Sequence, residues 1–378
     1  MRGLTNTNIY TALCVFGPIL YMYKSPVPGI DLGTFFVLLF AVLLFFSAQK
    51  SYFRMHWTLG LVILYTVFNT VISLGVGATY YYSSMHTIIM RTLRFCIVMV
   101  VMIGVGYTSF FDFKKYISLL NVVSVLIAGY AIVQSIVFRL TGIKLLNVVK
   151  GGEFSSTLGE YESFYRPPSV FYEPSHVVYY LTPILCYLLF CNTSFSRRKT
   201  IFSIIVVSLG MLVTTSGQGL IVLALCWSIW FFKELKVFNI KKLIVFVLAF
   251  IVLITNFNLN QSIDRLTTTD SMNAVDARSQ GYLMVSQMDE KDMWFGMGYG
   301  NYDENIYYSS FAEIIFCLGY VGLAIVVLMY LVAFAKGRLF QKILVLSSLL
   351  LMSGGGIYTA TSLCLYLPLL FTKTDDSV

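Results

Sequence analysis

Long apolar runs follow one another along almost the whole chain, and this constrains the fold more than any motif does. They occupy residues 9–23, 30–48, 57–79, 88–107, 117–138, 177–191, 201–215, 218–232, 243–257, 308–334, 339–352 and 357–371. Only 12% of the 378 residues are charged, and 58% are hydrophobic. Soluble domains carry about 25% charged residues, so half that share calls for an apolar solvent. A segment needs about 20 mainly apolar residues to cross the hydrocarbon core. Inside lipid the backbone must satisfy its own hydrogen bonds, which makes each crossing a helix. The expected fold is therefore all-α, a polytopic integral membrane bundle of about twelve helices. The count falls to eleven if the run 339–352 does not cross, since Gly354, Gly355 and Gly356 follow it at once. Residues 1–378 read as a single transmembrane domain.

Basic residues orient this bundle. Arg197, Arg198 and Lys199 share one short connection; Lys233, Lys236, Lys241 and Lys242 share another; Lys336, Arg338 and Lys342 share a third. Lys50, Arg54, Lys114 and Lys115 fall on the same side if every run crosses. That side is cytoplasmic by the positive-inside rule, with both termini inside. The two long connections, 139–176 and 258–307, then lie outside and hold most of the acidic residues. The formal net charge of +8 is accounted for by topology, and no nucleic-acid partner is implied. The seven cysteines fall within or at the ends of apolar runs, where they read as small hydrophobes and not as a disulfide framework or a zinc site. No small-residue cleavage signal precedes the first run, so it is expected to be retained as a span. Within the second connection, residues 262–284 have the spacing of a short amphipathic helix on the membrane surface.

Chemistry-bearing residues gather at the outer ends of the runs. The segment RPPSVFYEPS starts at Arg166 and passes Phe171, Tyr172, Glu173 and Pro174 before the run 177–191. Pro174 suits the first position of a helix. Glu173 would then stand beside the positive helix end, which favours its charged form. An arginine and a carboxylate at a membrane helix entrance suit anionic, hydroxyl-bearing substrates. The alternative is a capping carboxylate paired with Arg166. Arg91 and Arg94, three residues apart, share a helix face at the outer start of the fourth run. Two guanidinium forks there match a phosphate or pyrophosphate; snorkelling to lipid headgroups is the other reading.

Glu313 lies about one turn inside the run 308–334, and an ionisable residue within a span is by default a functional candidate. Its alternative role is a structural pair with Arg91 or Arg94. In the second outer loop Arg278 is a phosphate candidate, or the partner of Asp276. The glycines of GMGYGNYDEN (Gly296, Gly298, Gly300) have no preceding strand, so a nucleotide loop is not supported. They read as positions where the backbone turns back tightly toward the membrane. The run Asp289, Glu290, Asp292, interrupted by Lys291, reads as a solvated loop. His176, three residues after Glu173, is placed as a proton partner. His56, His86 and His176 have no metal-ligand spacing.

Taken together these residues resemble the O-antigen polymerase (Wzy) family, within the polymerase and ligase superfamily of bacterial surface polysaccharides. The resemblance rests on the R…F-x-E-P entrance at Arg166 to Pro174 and on the second large loop with Arg278 and G-x-G-x-G. It extends to the early Glu313 with Gly319 and Gly322, and to the S-x-G turn in TTSGQGL (214–220). The chain departs from the superfamily's ligases in lacking a histidine–asparagine pair at the start of the span after the second loop; Glu304 and Asn305 precede Tyr307 there. It also lacks the arginine-then-glycine spacing of some polymerases: Val177 and Asp289 stand eleven residues after Arg166 and Arg278. The resemblance implies a metal-independent glycosyltransferase without cofactor in the bacterial cytoplasmic membrane, its active site facing the periplasm or exterior. It would join undecaprenyl pyrophosphate-linked repeat units, alongside a chain-length co-polymerase (Wzz-type) and a flippase (Wzx-type). In that reading Glu173 is the base with Glu313 in reserve. Arg166, Arg278, Arg91 and Arg94 hold pyrophosphate, and Tyr165, Tyr172, His176 and Tyr307 contact the substrate. An O-antigen ligase and a lipid-linked oligosaccharide flippase are the competing expectations.

Overall fold

A computed structural model describes residues 5–27, 30–47, 50–77, 82–145, 165–191, 194–233, 274–303, 305–355 and 360–372. These are helical, with no strand among the described residues. The elements are α1 (Asn6–Leu20), α2 (Leu32–Phe46), α3 (Trp57–Ile72), α4 (Met85–Val98), α5 (Phe113–Thr141), α6 (Pro174–Phe190), α7 (Arg197–Val213), α8 (Gly217–Lys233), α9 (Ala274–Ser286), α10 (Glu290–Phe295), α11 (Ser310–Lys336), α12 (Leu339–Gly354) and α13 (Ala360–Phe371). Each expected apolar run that falls on described residues coincides with a helix; the run 243–257 lies outside them. Among the described residues four helical stretches have the length and apolarity to cross a membrane: Trp57–Gly75, Met85–Phe110, Phe113–Thr141 and Ser310–Lys336. The other apolar helices among the described residues hold 10–17 residues.

The chain forms two compact units. The first comprises Met1–Leu119, Asp276–Val345 and Met352–Ser377. Small residues let its helices approach closely, as packing in lipid favours. A Cβ on Gly33 of α2 would stand 2.8 Å from the Gly17 carbonyl oxygen of α1. Beyond α4 the chain widens into a π-helical stretch, Met99–Gly106. Its Met102 O accepts from Tyr107 N and also from the Tyr10 hydroxyl, the latter at 2.8 Å. The end of α13 is closed by Gln341, whose Nε2 donates to the carbonyls of Leu369, Leu370 and Thr372 at 2.9–3.2 Å.

The central feature of this unit is a break in α11. Gly319 has φ 69° and ψ −177° in the middle of an otherwise helical segment. That conformation is open essentially to glycine alone. The break frees three carbonyls, and each is met by another part of the unit. Met297 N donates to Phe316 O at 2.9 Å and Gly298 N to Cys317 O at 3.0 Å. The Tyr65 hydroxyl donates to Leu318 O at 3.0 Å. Gly296 and Gly319 face each other's neighbours: a Cβ on either would collide with backbone, Cys317 in one case and Trp294 in the other. The acidic run read as a solvated loop forms instead the short helix α10. Asp289 stands at its N-cap, and Asp292 is 6% exposed. Helix α9 occupies part of the stretch expected to be amphipathic. Its Met284 and Val285, with Met288 just beyond its end, pack against Met297, Tyr308, Phe316 and Leu318, leaving Tyr282 and Leu283 exposed. Residues 262–273 of that expectation lie outside the described residues.

The second unit comprises Leu120–Val275, Leu346–Leu351 and Val378. Helices α6, α7 and α8 pack against one another in it. Along α6 nearly every residue from Pro174 to Leu189 is buried. Gly210 of α7 admits Ala128 of α5, since a Cβ there would lie 2.5 Å from the alanine methyl. All-round burial is what a helix that is apolar on every face requires.

Candidate functional site

In the second unit the RPPSVFYEPS segment is locked in place before α6. Ser169 is fully buried and has φ 53°, a left-handed conformation uncommon outside glycine. Gln134 of α5 holds it from both sides: its Oε1 accepts from Ser169 N at 2.8 Å, and its Nε2 donates to Ser169 O at 3.2 Å. Ser169 Oγ donates to Ile127 O at 2.8 Å. Strain of this kind persists only where the surroundings over-determine it. The lock fixes the approach of the chain to Pro174, the first residue of α6, with Glu173 at the N-cap.

The Glu173 carboxylate makes no capping bond to the helix among the described residues. It accepts from the Ser175 hydroxyl at 3.0 Å, and it lies within electrostatic reach of His176. Glu173 and His176 are both half-buried. Arg166 directs Nε to the carbonyl of Thr214 at 3.4 Å, in the turn before α8. Tyr165 is buried, with its ring 4.9 Å from that of Phe138. Burial, and then the neighbouring Tyr130, push its phenol up to about 12. Tyr172 is half-buried. Arg166, Tyr165, Glu173 and His176 thus belong to one built segment at one helix entrance.

The first unit holds a second charged group. Arg91 and Arg94 stand on α4, and Glu313 on the first turn of α11. Arg91 packs its stem against Gly300 and donates Nη1 to the Gly300 carbonyl at 2.6 Å and to Ser83 Oγ at 3.1 Å. Its guanidinium lies 4.5 Å from the centre of the Tyr302 ring, within cation–π range, and within electrostatic reach of Glu313. Burial, then the Glu313 charge, raise the Tyr302 phenol well above its ordinary range, while Arg91 pulls the other way. Arg94 turns to Asp31, 3.5 Å away. Asp31 caps α2 by accepting from Thr34 N and Thr34 Oγ1, both at 2.7 Å.

Asn301 fastens the glycine loop: its Oδ1 accepts from Tyr82 N at 2.9 Å, and its Nδ2 donates to Met297 O at 3.0 Å. Thr70, Thr92 and Asn69 bond further backbone groups of the loop, at Tyr299 and Phe295. Tyr307 donates its hydroxyl to the Gly354 carbonyl at 3.2 Å, a contact that ties the approach to α11 to the end of α12. Arg278 falls in α9, with its side chain outside the described residues. Among the described residues no three His, Cys, Asp or Glu side chains stand close enough to hold a metal ion.

Sequence reasoning passed over Asp31, Gln134, Asn301 and Tyr302. Asp31 had a legible signal, the Asp-x-x-Thr spacing of a helix cap. Gln134, a lone amide inside an apolar run, was a signal of the same kind. Comparison with family models, with curated proteins and with solved structures finds no match to this chain.

Proposed function

We propose that the chain polymerises undecaprenyl pyrophosphate-linked oligosaccharide repeat units at the outer face of the bacterial cytoplasmic membrane. The observation that carries the reading is the Glu173 carboxylate. It stands at the mouth of an apolar helix, takes no part in capping it, and is backed by His176 and the locked turn that also carries Arg166. In the reaction a hydroxyl of the acceptor sugar attacks the anomeric carbon of the donor glycan. The bond from that carbon to the pyrophosphate oxygen breaks, and undecaprenyl pyrophosphate leaves with the electron pair. Glu173 takes the hydroxyl proton; positioned bases of this sort contribute about 10²–10⁴-fold. Arg166 faces the negative charge that develops on the leaving group. Glu313 is the reserve base, and Arg91, Arg94 and Arg278 are further pyrophosphate candidates. Tyr165, Tyr172 and Tyr307 are the sugar-contact candidates.

The test is the polysaccharide ladder of cells lacking the protein, complemented with wild type, Arg166→Ala or Glu173→Ala. Collapse to a single repeat unit, restored by wild type and by neither variant at equal protein level, is the expected result. A normal ladder from both variants would remove the assignment. Long polymer retained on its lipid carrier would indicate a ligase. One observation favours a second reading, export of the same lipid-linked oligosaccharide. Discontinuous membrane helices are the usual site-builders of transporters, and α11 is broken at Gly319. Repeat units trapped on the cytoplasmic side in the deletion strain would identify that activity.

A further inference from the structure

One end of the first unit gathers cations that the proposed chemistry does not use. Lys336 closes α11, Arg338 stands at the N-cap of α12, and Lys342 lies in the first turn of α12. Four helix ends meet here. Gln341, between Arg338 and Lys342, bonds the last carbonyls of α13. Phe371, at the end of α13, has its ring centre 4.7 Å from that of His56, the N-cap residue of α3. His56 Nδ1 lies 2.8 Å from Thr58 Oγ1, and the ring is within electrostatic reach of Lys336. Across the turn between α11 and α12, Lys342 Nζ stands 5.6 Å from the centre of the Phe334 ring.

This corner carries charge without a counterion. Residues 50–60, 331–345 and 360–372 contain no aspartate or glutamate. Among the described residues neither Lys336 nor Lys342 pairs with a carboxylate. Lys336 is exposed, and Arg338 and Lys342 are half-buried, so all three are open to solvent. Burial, then the Lys336 charge, hold the His56 imidazole below its ordinary range, and it stays neutral at pH 7. Like charges gathered in this way repel one another unless an anion stands among them. Beside them Trp57 of α3, Leu331 of α11 and Leu339 of α12 are exposed. Trp57 opens one stretch long enough to cross a membrane, and Lys336 closes another. Tryptophan rings and the ends of lysine side chains gather at the headgroup level of a bilayer.

We propose that Lys336, Arg338 and Lys342 hold the headgroup of a phospholipid with two phosphates, its acyl chains lying against Trp57, Leu331 and Leu339. Basic pockets between membrane helices take such headgroups. Three cations within seven residues exceed the charge of one phosphodiester and suit two. A zwitterionic headgroup brings its own cation and gains less. A free phosphate would meet the charges and leave the exposed apolar side chains beside them uncovered. The site stands apart from Glu173 and Arg166 and does not depend on the polymerase reading.

The experiment titrates the full-length protein in detergent with tetraoleoyl cardiolipin and reads bound lipid by native mass spectrometry. Phosphatidylglycerol is the one-phosphate comparison, phosphatidylcholine the zwitterionic one, and inorganic phosphate the anion without chains. Cardiolipin is expected to bind most tightly and to resist displacement by inorganic phosphate. Lys336→Gln and Lys342→Gln should each weaken it about fivefold, the effect of one basic residue at a lipid surface. Lys336→Arg keeps the charge and should keep the binding, which separates lost charge from lost fold. Arg197→Gln with Lys199→Gln removes charge from another basic stretch and should change the affinity less than about twofold. Equal affinity for phosphatidylglycerol, displacement by inorganic phosphate, unaltered binding in the glutamine variants or an equal loss in the Arg197 and Lys199 pair would each overturn the site. So would cardiolipin binding gained only on removal of residues 373–378, which would assign the corner to Asp375 and Asp376 of the chain itself.

Discussion

Gly319→Ala tests the architecture of the first unit most severely. The backbone there, φ 69° and ψ −177°, costs a non-glycine residue about 1–3 kcal/mol. The new methyl would also collide with the backbone of Trp294 and Phe295, which cannot turn aside as a side chain can. Alanine favours regular helix, and restoring the ladder would return the carbonyls of Phe316, Cys317 and Leu318 to their own segment. Met297 N, Gly298 N and the Tyr65 hydroxyl would lose their acceptors, at about 0.5–1.5 kcal/mol each. The cost is thus about 1–3 kcal/mol plus the backbone collision if the break is kept, or about 1.5–4.5 kcal/mol if it closes, a sizeable part of the 5–15 kcal/mol typical of whole domains. The assay is thermal unfolding in nanodiscs together with limited proteolysis of the 290–303 segment. Gly60→Ala is the control, because a Cβ on that helical glycine meets nothing within 4 Å. It should be neutral or stabilising by up to about 1 kcal/mol. If the two variants melt alike and the segment stays protected in both, the proposed coupling between the helix break and the glycine loop is wrong.

Gln134→Leu strips Ser169 of the partners of its N–H and C=O, and each orphaned buried group costs about 1–3 kcal/mol. A loss of about 2–6 kcal/mol in unfolding free energy is expected, whereas Ser169→Gly, which relieves the left-handed strain, should lose far less. Glu173→Gln preserves shape and removes the proposed base, so on the polymerase reading polymer should fall at least about 100-fold with protein level and melting unchanged; a ladder of normal amount would discard Glu173 as the proton acceptor. The Tyr165 phenol is held up to about 12 by burial, against an ordinary 10.0, so the folded state binds its proton more tightly than the unfolded chain does. Its contribution to stability is full below about pH 10 and is lost as pH rises toward 12. Tyr165→Phe should therefore flatten the alkaline fall in stability over that range; an identical slope in both proteins would contradict it.

What the sequence disclosed was governed by local rules. Apolar runs mark the helices, Pro174 marks the start of α6, and the glycines of 296–300 mark a tight backbone path. What it withheld depends on distant partners. Hydropathy reads 308–334 as one run, because nothing within it distinguishes Gly319 from Gly322; the break is specified by Met297, Gly298 and Tyr65, remote in the chain. Arg91 and Arg94 share a helix face as their spacing requires, yet their partners diverge, one to Gly300 and Tyr302 and the other to Asp31. No spacing rule contains that information. Gln134 looks like a lone polar residue in an apolar stretch until Ser169, thirty-five positions on, is laid against it.

The broken helix has a consequence for biogenesis. A ribosome delivers α3 and α4 well before residues 296–300, and these in turn before α11. Asn69, Thr70, Arg91 and Thr92, which bond the glycine loop, are thus made before that loop emerges. The part of α11 that follows Gly319 can form as an ordinary apolar helix. The part before it, from Ser310 to Leu318, reaches its final hydrogen bonding only against a loop already seated. Assembly of this unit is therefore expected to run from amino to carboxyl end, with the start of α11 settling only once Gly355, at the end of α12, accepts from Ser310 N.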